Sequence, residues 1–444
     1  MKRLVSLIKR HQHINWTLAD QAIVSGSNFV TGILLARFLG PESFGMFVLL
    51  QSIVFYFNSF QSALIFQPMM SAAPQMAELQ RVNYLHGVFA LQLMLCGVLV
   101  VLVGTIATII YAFDFHIQLG INSNIVGASI AALLAFQLQD WQRRYYFVQE
   151  KPSSALLIDT ISYGSQVTLL AVCYLNHALN VATAFWIIAG ASFTAFAVGF
   201  ARDNLLPIFL HARTVLQQGW RTGRDYLVAW QLQWLGTQGV LMFSAGAIGA
   251  EPVGGIRAAQ NIVGPINIIF LAMENVVPVM AAKRFSQKGV AGLLAYLGRV
   301  TAFGSALLIP VLIILAIFSR QIIEFLYGES YVVYATLVMW QVITIFLQFY
   351  LRQAFFFLRT VTATGAIIRA GAIMSITSVL IAVFTVEQYH ETAVMAALLS
   401  GTAAGLIYAL TAAYKIVQKL EHHGQPASDS SMKNNSLMGM ETKS

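Results

Sequence analysis

Hydrophobic residues in this chain run in long stretches separated by short polar breaks. A helix needs about 20 apolar residues to cross a bilayer. Twelve stretches meet that length: 14–38, 44–65, 85–111, 125–147, 154–174, 178–200, 226–249, 253–281, 293–318, 334–357, 365–386 and 392–416. The apolar piece at 321–327 is too short to span and reads as the mouth of a loop. The N-terminus is basic, but the apolar stretch after it is long and has no small-residue cleavage site. It reads as a first span and not as a removed signal peptide.

Composition agrees with this pattern. Of 444 residues, 58% are hydrophobic and only 10% are charged, against roughly 25% charged in an ordinary soluble domain. That is too little charge to skin a soluble core of this size, and the mean hydropathy of +0.70 points the same way. A soluble enzyme, a nucleic-acid-binding protein and a disordered scaffold are excluded. The expected fold is all-α and membrane-embedded. Cys96 and Cys173 sit in separate apolar runs and read as small hydrophobes, not as a disulfide or metal site.

The net charge of +8 changes the picture only after the bases are placed. With a cytoplasmic N-terminus and twelve alternating spans, all but five of the 26 bases fall on the cytoplasmic side, Arg143, Arg144, Arg352, Arg359 and Lys415 among them. The outer loops near Asp114, Asn176 and Glu387 receive none. This is the positive-inside asymmetry, and it places both termini in the cytoplasm. The charge is then mostly topology signal. The stretch 201–225, with Arg202, Arg213, Arg221 and Arg224, is the expected cytoplasmic loop between an N-terminal lobe (1–200) and a C-terminal lobe (226–420). The polar tail 421–444 is expected to be disordered.

The chain also repeats itself. LGPESFGMFVLLQSIV from Leu39 aligns without gaps over IGAEPVGGIRAAQNIV from Ile248, an offset of 209. Gly40/Gly249, Glu42/Glu251, Gly45/Gly254 and Gln51/Gln260 match. With one residue inserted, Pro68 falls over Pro278. Six spans separate the copies, an even number, so the halves are parallel repeats about an axis along the membrane normal. Two six-helix lobes around a central cavity follow.

Three of these segments carry a family resemblance. ARFLGPESFGMF (36–47), IRAAQNIVGPI (256–266) with Pro278 following, and FLYGESYVVYATLV (325–338) resemble the multidrug/oligosaccharidyl-lipid/polysaccharide flippase superfamily, and most closely its polysaccharide transporter branch, the Wzx-type flippases. The lipid II flippases of the superfamily fit less well, because they typically carry two further helices. The resemblance implies movement of a polyprenyl-diphosphate-linked oligosaccharide from the inner to the outer leaflet of the bacterial inner membrane. The process served would be O-antigen or exopolysaccharide assembly, with a polysaccharide polymerase and co-polymerase as partner proteins. An ion-coupled drug or metabolite antiporter on the same fold is the alternative.

Ionisable residues inside spans are expensive and are functional candidates by default. The five bases left over are Arg37, Arg257, Arg299, Arg320 and Arg369. Guanidinium forks suit a diphosphate, so Arg37, Arg257, Arg299 and Arg369 are candidate substrate ligands. Other roles stay open: Arg37 and Arg257 reach the outer headgroups, or Arg299 neutralises Glu274. No G-x-x-x-x-G-K-[ST] loop is present, so no cofactor is expected and ATP hydrolysis by this chain is not. That leaves H+ or Na+ coupling through the buried acids Asp20, Asp159 and Glu274, with Asp20 preferred. On the seventh span Gln231, Trp234 and Gln238 recur at i, i+3 and i+7. Amides and indoles suit a glycan path; hydrogen bonding between helices of one lobe is the other reading. The aromatics Trp340, Tyr350, Phe355, Phe356 and Phe357 are expected to face lipid or the membrane interface. No outer loop holds an acid–base pair that would suit a membrane-embedded glycosyltransferase or polymerase.

Overall fold

The computed structural model describes residues 2–113, 122–203 and 206–424. All regular structure among them is helical. The main helices are α1 (Lys2–Gln61), α2 (Gln67–Ala72), α3 (Glu78–Ala112), α4 (Ser123–Val148), α5 (Pro152–Leu175), α6 (Val181–Asp203), α7 (Phe209–Trp234), α8 (Val240–Ile248), α9 (Ala250–Ile262), α10 (Ile266–Ile317), α11 (Ser319–Tyr327), α12 (Ala335–Thr360) and α13 (Thr364–Gly424). Two π-helical turns, Ser62–Phe66 and Leu235–Gly239, join α1 to α2 and α7 to α8.

Several helices are too long for one crossing. α1, α10 and α13 have 60, 52 and 61 residues, two to three times what a bilayer needs. Each is broken once by a positive-φ residue: Gly40 (φ 76°), Gly289 (φ 60°) and His390 (φ 49°). Each is therefore two antiparallel legs. With α7–α8 counted as one leg and α9 with the first leg of α10 as another, twelve membrane-length legs result, in the order of the twelve apolar stretches. The chain is a multi-pass membrane protein.

The repeat is legible in the backbone. Gly40 and Gly249 (φ 83°) both take the positive φ that glycine tolerates. Each starts a new helix with proline and glutamate in its first turns, Pro41–Glu42 and Glu251–Pro252, as an N-terminus favours. One turn on, the two copies touch. A Cβ on Gly45 would run into the Ala250 carbonyl oxygen, and one on Gly254 into the Pro41 carbonyl oxygen. Pro41 and Ala250 are themselves repeat partners, so the contact is two-fold.

This contact joins the lobes at one end of the molecule. Leu35, Phe44, Phe47, Ile256, Tyr327 and Tyr331 pack there in one core shared by both lobes. At the other, basic end each lobe has its own core. Phe66, Met69, Trp141 and Tyr146 belong to the N-terminal lobe. Val277, Leu293, Phe356 and Phe357 belong to the C-terminal lobe. The lobes are thus closed at the Gly40/Gly249 end. Phe356 and Phe357 are buried, not lipid-facing as their aromatic character suggested.

The connection expected as a loop at 201–225 is mostly helix. Residues 209–225 form the first turns of α7, which pack on the N-terminal lobe where Gly87 meets His211 and Val215, and Gly219 meets Pro68. Of the tail expected to be disordered, 421–424 close α13 and 425–444 lie outside the described residues.

Candidate functional site

Two cavities flank α9. The first, about 560 Å³, lies between the lobes and is lined by both legs of α1, by α4–α6, and by α9 and the start of α10. The second, about 570 Å³, lies in the C-terminal lobe among α7–α10, α12 and α13. Both are in the size range of small-ligand sites.

Arg257 lines the interlobe cavity with Asn28, Gln51, Gln166, Asn261 and Asn267. Its one side-chain hydrogen bond runs from Nη1 to Gln260 Oε1 at 3.4 Å, and no acid pairs with it among the described residues. A partly buried guanidinium without a counter-charge carries an uncompensated desolvation cost of several kcal/mol. Asn261, one turn on, is tied down by Nδ2 donating to Phe29 O (3.3 Å) and Tyr327 Oη (3.1 Å).

The acids Asp20 and Asp159 meet on a base that charge asymmetry assigned to topology. Arg143 Nη2 donates to Asp20 Oδ2 at 2.6 Å, and Arg143 Nε lies 2.6 Å from Asp159 Oδ2 without hydrogen-bond alignment. Gln139 Nε2 donates to Asp159 Oδ1 at 2.6 Å. Asp20 and Asp159 are almost wholly buried, at 1% and 0%. Asp20 Oδ1 and Gln139 Oε1 are buried without a partner. Tyr163, one turn beyond Asp159, lines the interlobe cavity, so the cluster sits directly beneath it. The sequence did hold a signal for this group. Asp20, Arg143 and Asp159 each lie about one and a half turns in from the same membrane face.

Glu274 does not meet Arg299. It accepts from Arg352 Nη1 (3.0 Å) and Arg359 Nη1 (3.3 Å), two more bases counted as topology signal. Arg299 is exposed and turns its Nε back to Ala295 O of its own helix (3.2 Å), outside both cavities. Arg369 is also exposed. Its Nε donates to Tyr408 Oη at 2.6 Å in a third hollow, shared with Lys415, at the basic end of the C-terminal lobe. Arg37 spans the lobes at the closed end, where Nη1 donates to Phe325 O near the C-terminus of α11 (3.1 Å), a favourable place for a cation. Tyr331 Oη donates to Ala36 O beside it (3.0 Å).

The seventh-span trio bonds across the lobes instead of within one. Gln231 Nε2 donates to Ser59 Oγ (2.8 Å), Trp234 Nε1 to Ser52 O (3.2 Å), and Ser52 Oγ to Gln238 Oε1 (3.0 Å). These three residues form a seam between α1 and α7–α8.

No protein-family model matches the sequence, and no curated protein matches it. Solved structures do match its fold. One is an inward-facing conformation of a multidrug resistance MATE family transporter of the MOP superfamily (TM-score 0.71, 14% identity, 91% of this chain and 96% of that one). Another is the lipid II flippase MurJ in an inward closed conformation (TM-score 0.64, 12% identity, 90% and 87%). A third is a MOP superfamily transporter from Pyrococcus furiosus (TM-score 0.59, 13% identity, 91% and 94%), described as having a binding pocket of reversed polarity. The shared property at this identity is the fold; the three solved structures are themselves transporters or a flippase.

Proposed function

We propose that the protein is a flippase that moves polyprenyl-diphosphate-linked oligosaccharide from the cytoplasmic to the outer leaflet by alternating access, for surface polysaccharide assembly. The observation that carries this reading is Arg257, a guanidinium without an acid partner facing the interlobe cavity. A diphosphate is the ligand that such a group lacks. In this reading 1–200 and 226–420 are the rocking lobes of a bacterial inner-membrane protein with both termini cytoplasmic. The closed end is the outer one, held by Arg37, Tyr331 and the Gly45/Gly254 contact. The Gln231–Trp234–Gln238 seam keeps the lobes in register during rocking. The polyprenyl tail stays in lipid, and a polymerase and co-polymerase take over the flipped product.

Asp20, Asp159 and Arg143 are the coupling group. Two carboxylates share one guanidinium, and buried acceptor oxygens are left over for a proton or Na+. Glu274, balanced by two arginines, has no such spare charge.

Translocation of a fluorescent undecaprenyl-diphosphate oligosaccharide in proteoliposomes tests the reading. Losing a charge-assisted bond of about 1.5–3 kcal/mol predicts a ten- to hundredfold slower rate for Arg257→Ala at normal protein levels. An unchanged rate removes Arg257 from the path. No translocation by folded wild type, with efflux of a cationic dye instead, replaces the flippase by an antiporter.

A further inference from the structure

We propose that the C-terminal-lobe cavity is the compartment that binds the sugar of the lipid-linked substrate, one helical turn from the diphosphate ligand Arg257; this rests on the flippase reading above. The cavity wall is unusual for the interior of a membrane span. It carries the amides of Gln233, Gln238, Gln260, Gln341 and Gln348. The amides of Gln341 and Gln348 make no side-chain hydrogen bond among the described residues. The Ser378 hydroxyl also lines the cavity without one. An amide left unpaired inside a membrane protein costs energy unless water or a ligand satisfies it. Amides that both donate and accept, set beside a hydroxyl, match the alternating donors and acceptors of a polyol.

The ends of the cavity fit the same ligand. Phe355 supplies an aromatic wall, correcting its expected place in lipid, and the Arg352–Glu274 pair supplies a charged donor and acceptor at the rim. Gln260 links this compartment to the diphosphate site. It lines the sugar cavity while accepting from Arg257, which lines the other. Side chains three apart on a helix stand about 5–6 Å from each other, which suits a diphosphate and the first sugar attached to it.

The repeat supports the assignment independently. Gln348 and Arg352 stand at the 209 offset from Gln139 and Arg143. In the N-terminal lobe this Gln-x-x-x-Arg frame meets acids: Gln139 donates to Asp159, and Arg143 pairs with Asp20 and Asp159. At the same offset the C-terminal lobe has Ile368 and Ala229. Neither position holds an acid, and Ile368 lines the cavity.

Binding to the purified full-length protein in nanodiscs distinguishes the outcomes. The probes are undecaprenyl diphosphate and undecaprenyl-diphosphate-linked oligosaccharide from the producing cells. Wild type is expected to prefer the glycosylated lipid by about tenfold or more, the yield of a few hydrogen bonds. Gln341→Leu with Gln348→Leu should erase that preference and leave affinity for undecaprenyl diphosphate unchanged. Arg257→Ala should weaken both probes. Ser378→Ala, a mild change in a cavity wall, should lower the preference about two- to fivefold and guards against misfolding of the double variant. Equal wild-type affinity for the two probes, or full preference retained in the glutamine and serine variants, overturns the sugar compartment and leaves the flippase reading standing. Failure of wild type to bind either lipid overturns both.

Discussion

Two arginine clusters occupy matching places in the two lobes and have opposite composition. In the N-terminal lobe Arg143 lies between Asp20 and Asp159, one base with two acids. In the C-terminal lobe Glu274 lies between Arg352 and Arg359, one acid with two bases. Arg143 and Arg352 are repeat partners. The N-terminal acids are 0–1% exposed, whereas Glu274 is 30% exposed and Arg359 52%. The same Gln-x-x-x-Arg spacing stands in both lobes, with different acids around it. A buried cluster with surplus carboxylate oxygen suits a cation or proton. An open cluster with surplus guanidinium beside a polar cavity suits an anionic or hydroxylated ligand.

The contrast predicts unequal costs for equivalent substitutions. Arg143→Ala strands two buried carboxylates and is expected to cost about 3–5 kcal/mol, read as a large fall in the unfolding midpoint in detergent. A midpoint within a degree of wild type would break the contrast at its strongest point. Next in size is the contact where the lobes remained symmetric. Gly45→Val and Gly254→Val each drive side-chain atoms into the opposing carbonyl, so both should separate the closed end by the same few ångströms. Spin-label distances across that end measure it, and a change in only one variant would show that the two-fold contact is not shared equally. Asp20→Asn keeps the shape of the buried cluster and removes one charge. It is expected to abolish acceleration of flipping by a pH or Na+ gradient while basal translocation persists; gradient dependence equal to wild type would move coupling elsewhere. The smallest effect belongs to Arg352→Ala. Arg359 still neutralises the part-exposed Glu274, so the expected loss of stability is about 1 kcal/mol or less. A loss matching that of Arg143→Ala would make the two clusters equivalent after all.

Reading the chain residue by residue reached the twelve crossings, because each apolar stretch has bilayer length whatever its neighbours are. It also reached the paired kinks at Gly40 and Gly249, because a repeat that preserves glycine before a helix start preserves a backbone demand. Arg257, whose isolation in an apolar stretch was visible, lines the interlobe cavity. The residue-by-residue reading gave Arg143, Arg352 and Arg359 to topology alone and missed their acid partners. Near the end of a span, a base that marks topology and a base that pairs across helices look alike in one dimension. Arg299 shows a different limit: its direction was open, since a one-residue step turns a helix by about 100°. The Gln-x-x-x-Arg pair was short enough to be lost among chance matches until the structure put both copies beside cavities.

By itself, the sequence determined that the chain lives in a bilayer, how many times it crosses, which end of each helix carries the bases, and that the two halves are copies. These properties are set by local transfer energies and local backbone limits, and they add along the chain. Only the tertiary structure decided which buried charges meet, that the seventh-span amides join the lobes, and that the C-terminal lobe holds a cavity lined by several glutamines. Those outcomes depend on the rotation and spacing of helices more than 100 residues apart. Burial energy is nearly the same for many rotations of an apolar helix, so the few polar contacts and the packed glycines select among them, and they exist only once the helices have assembled.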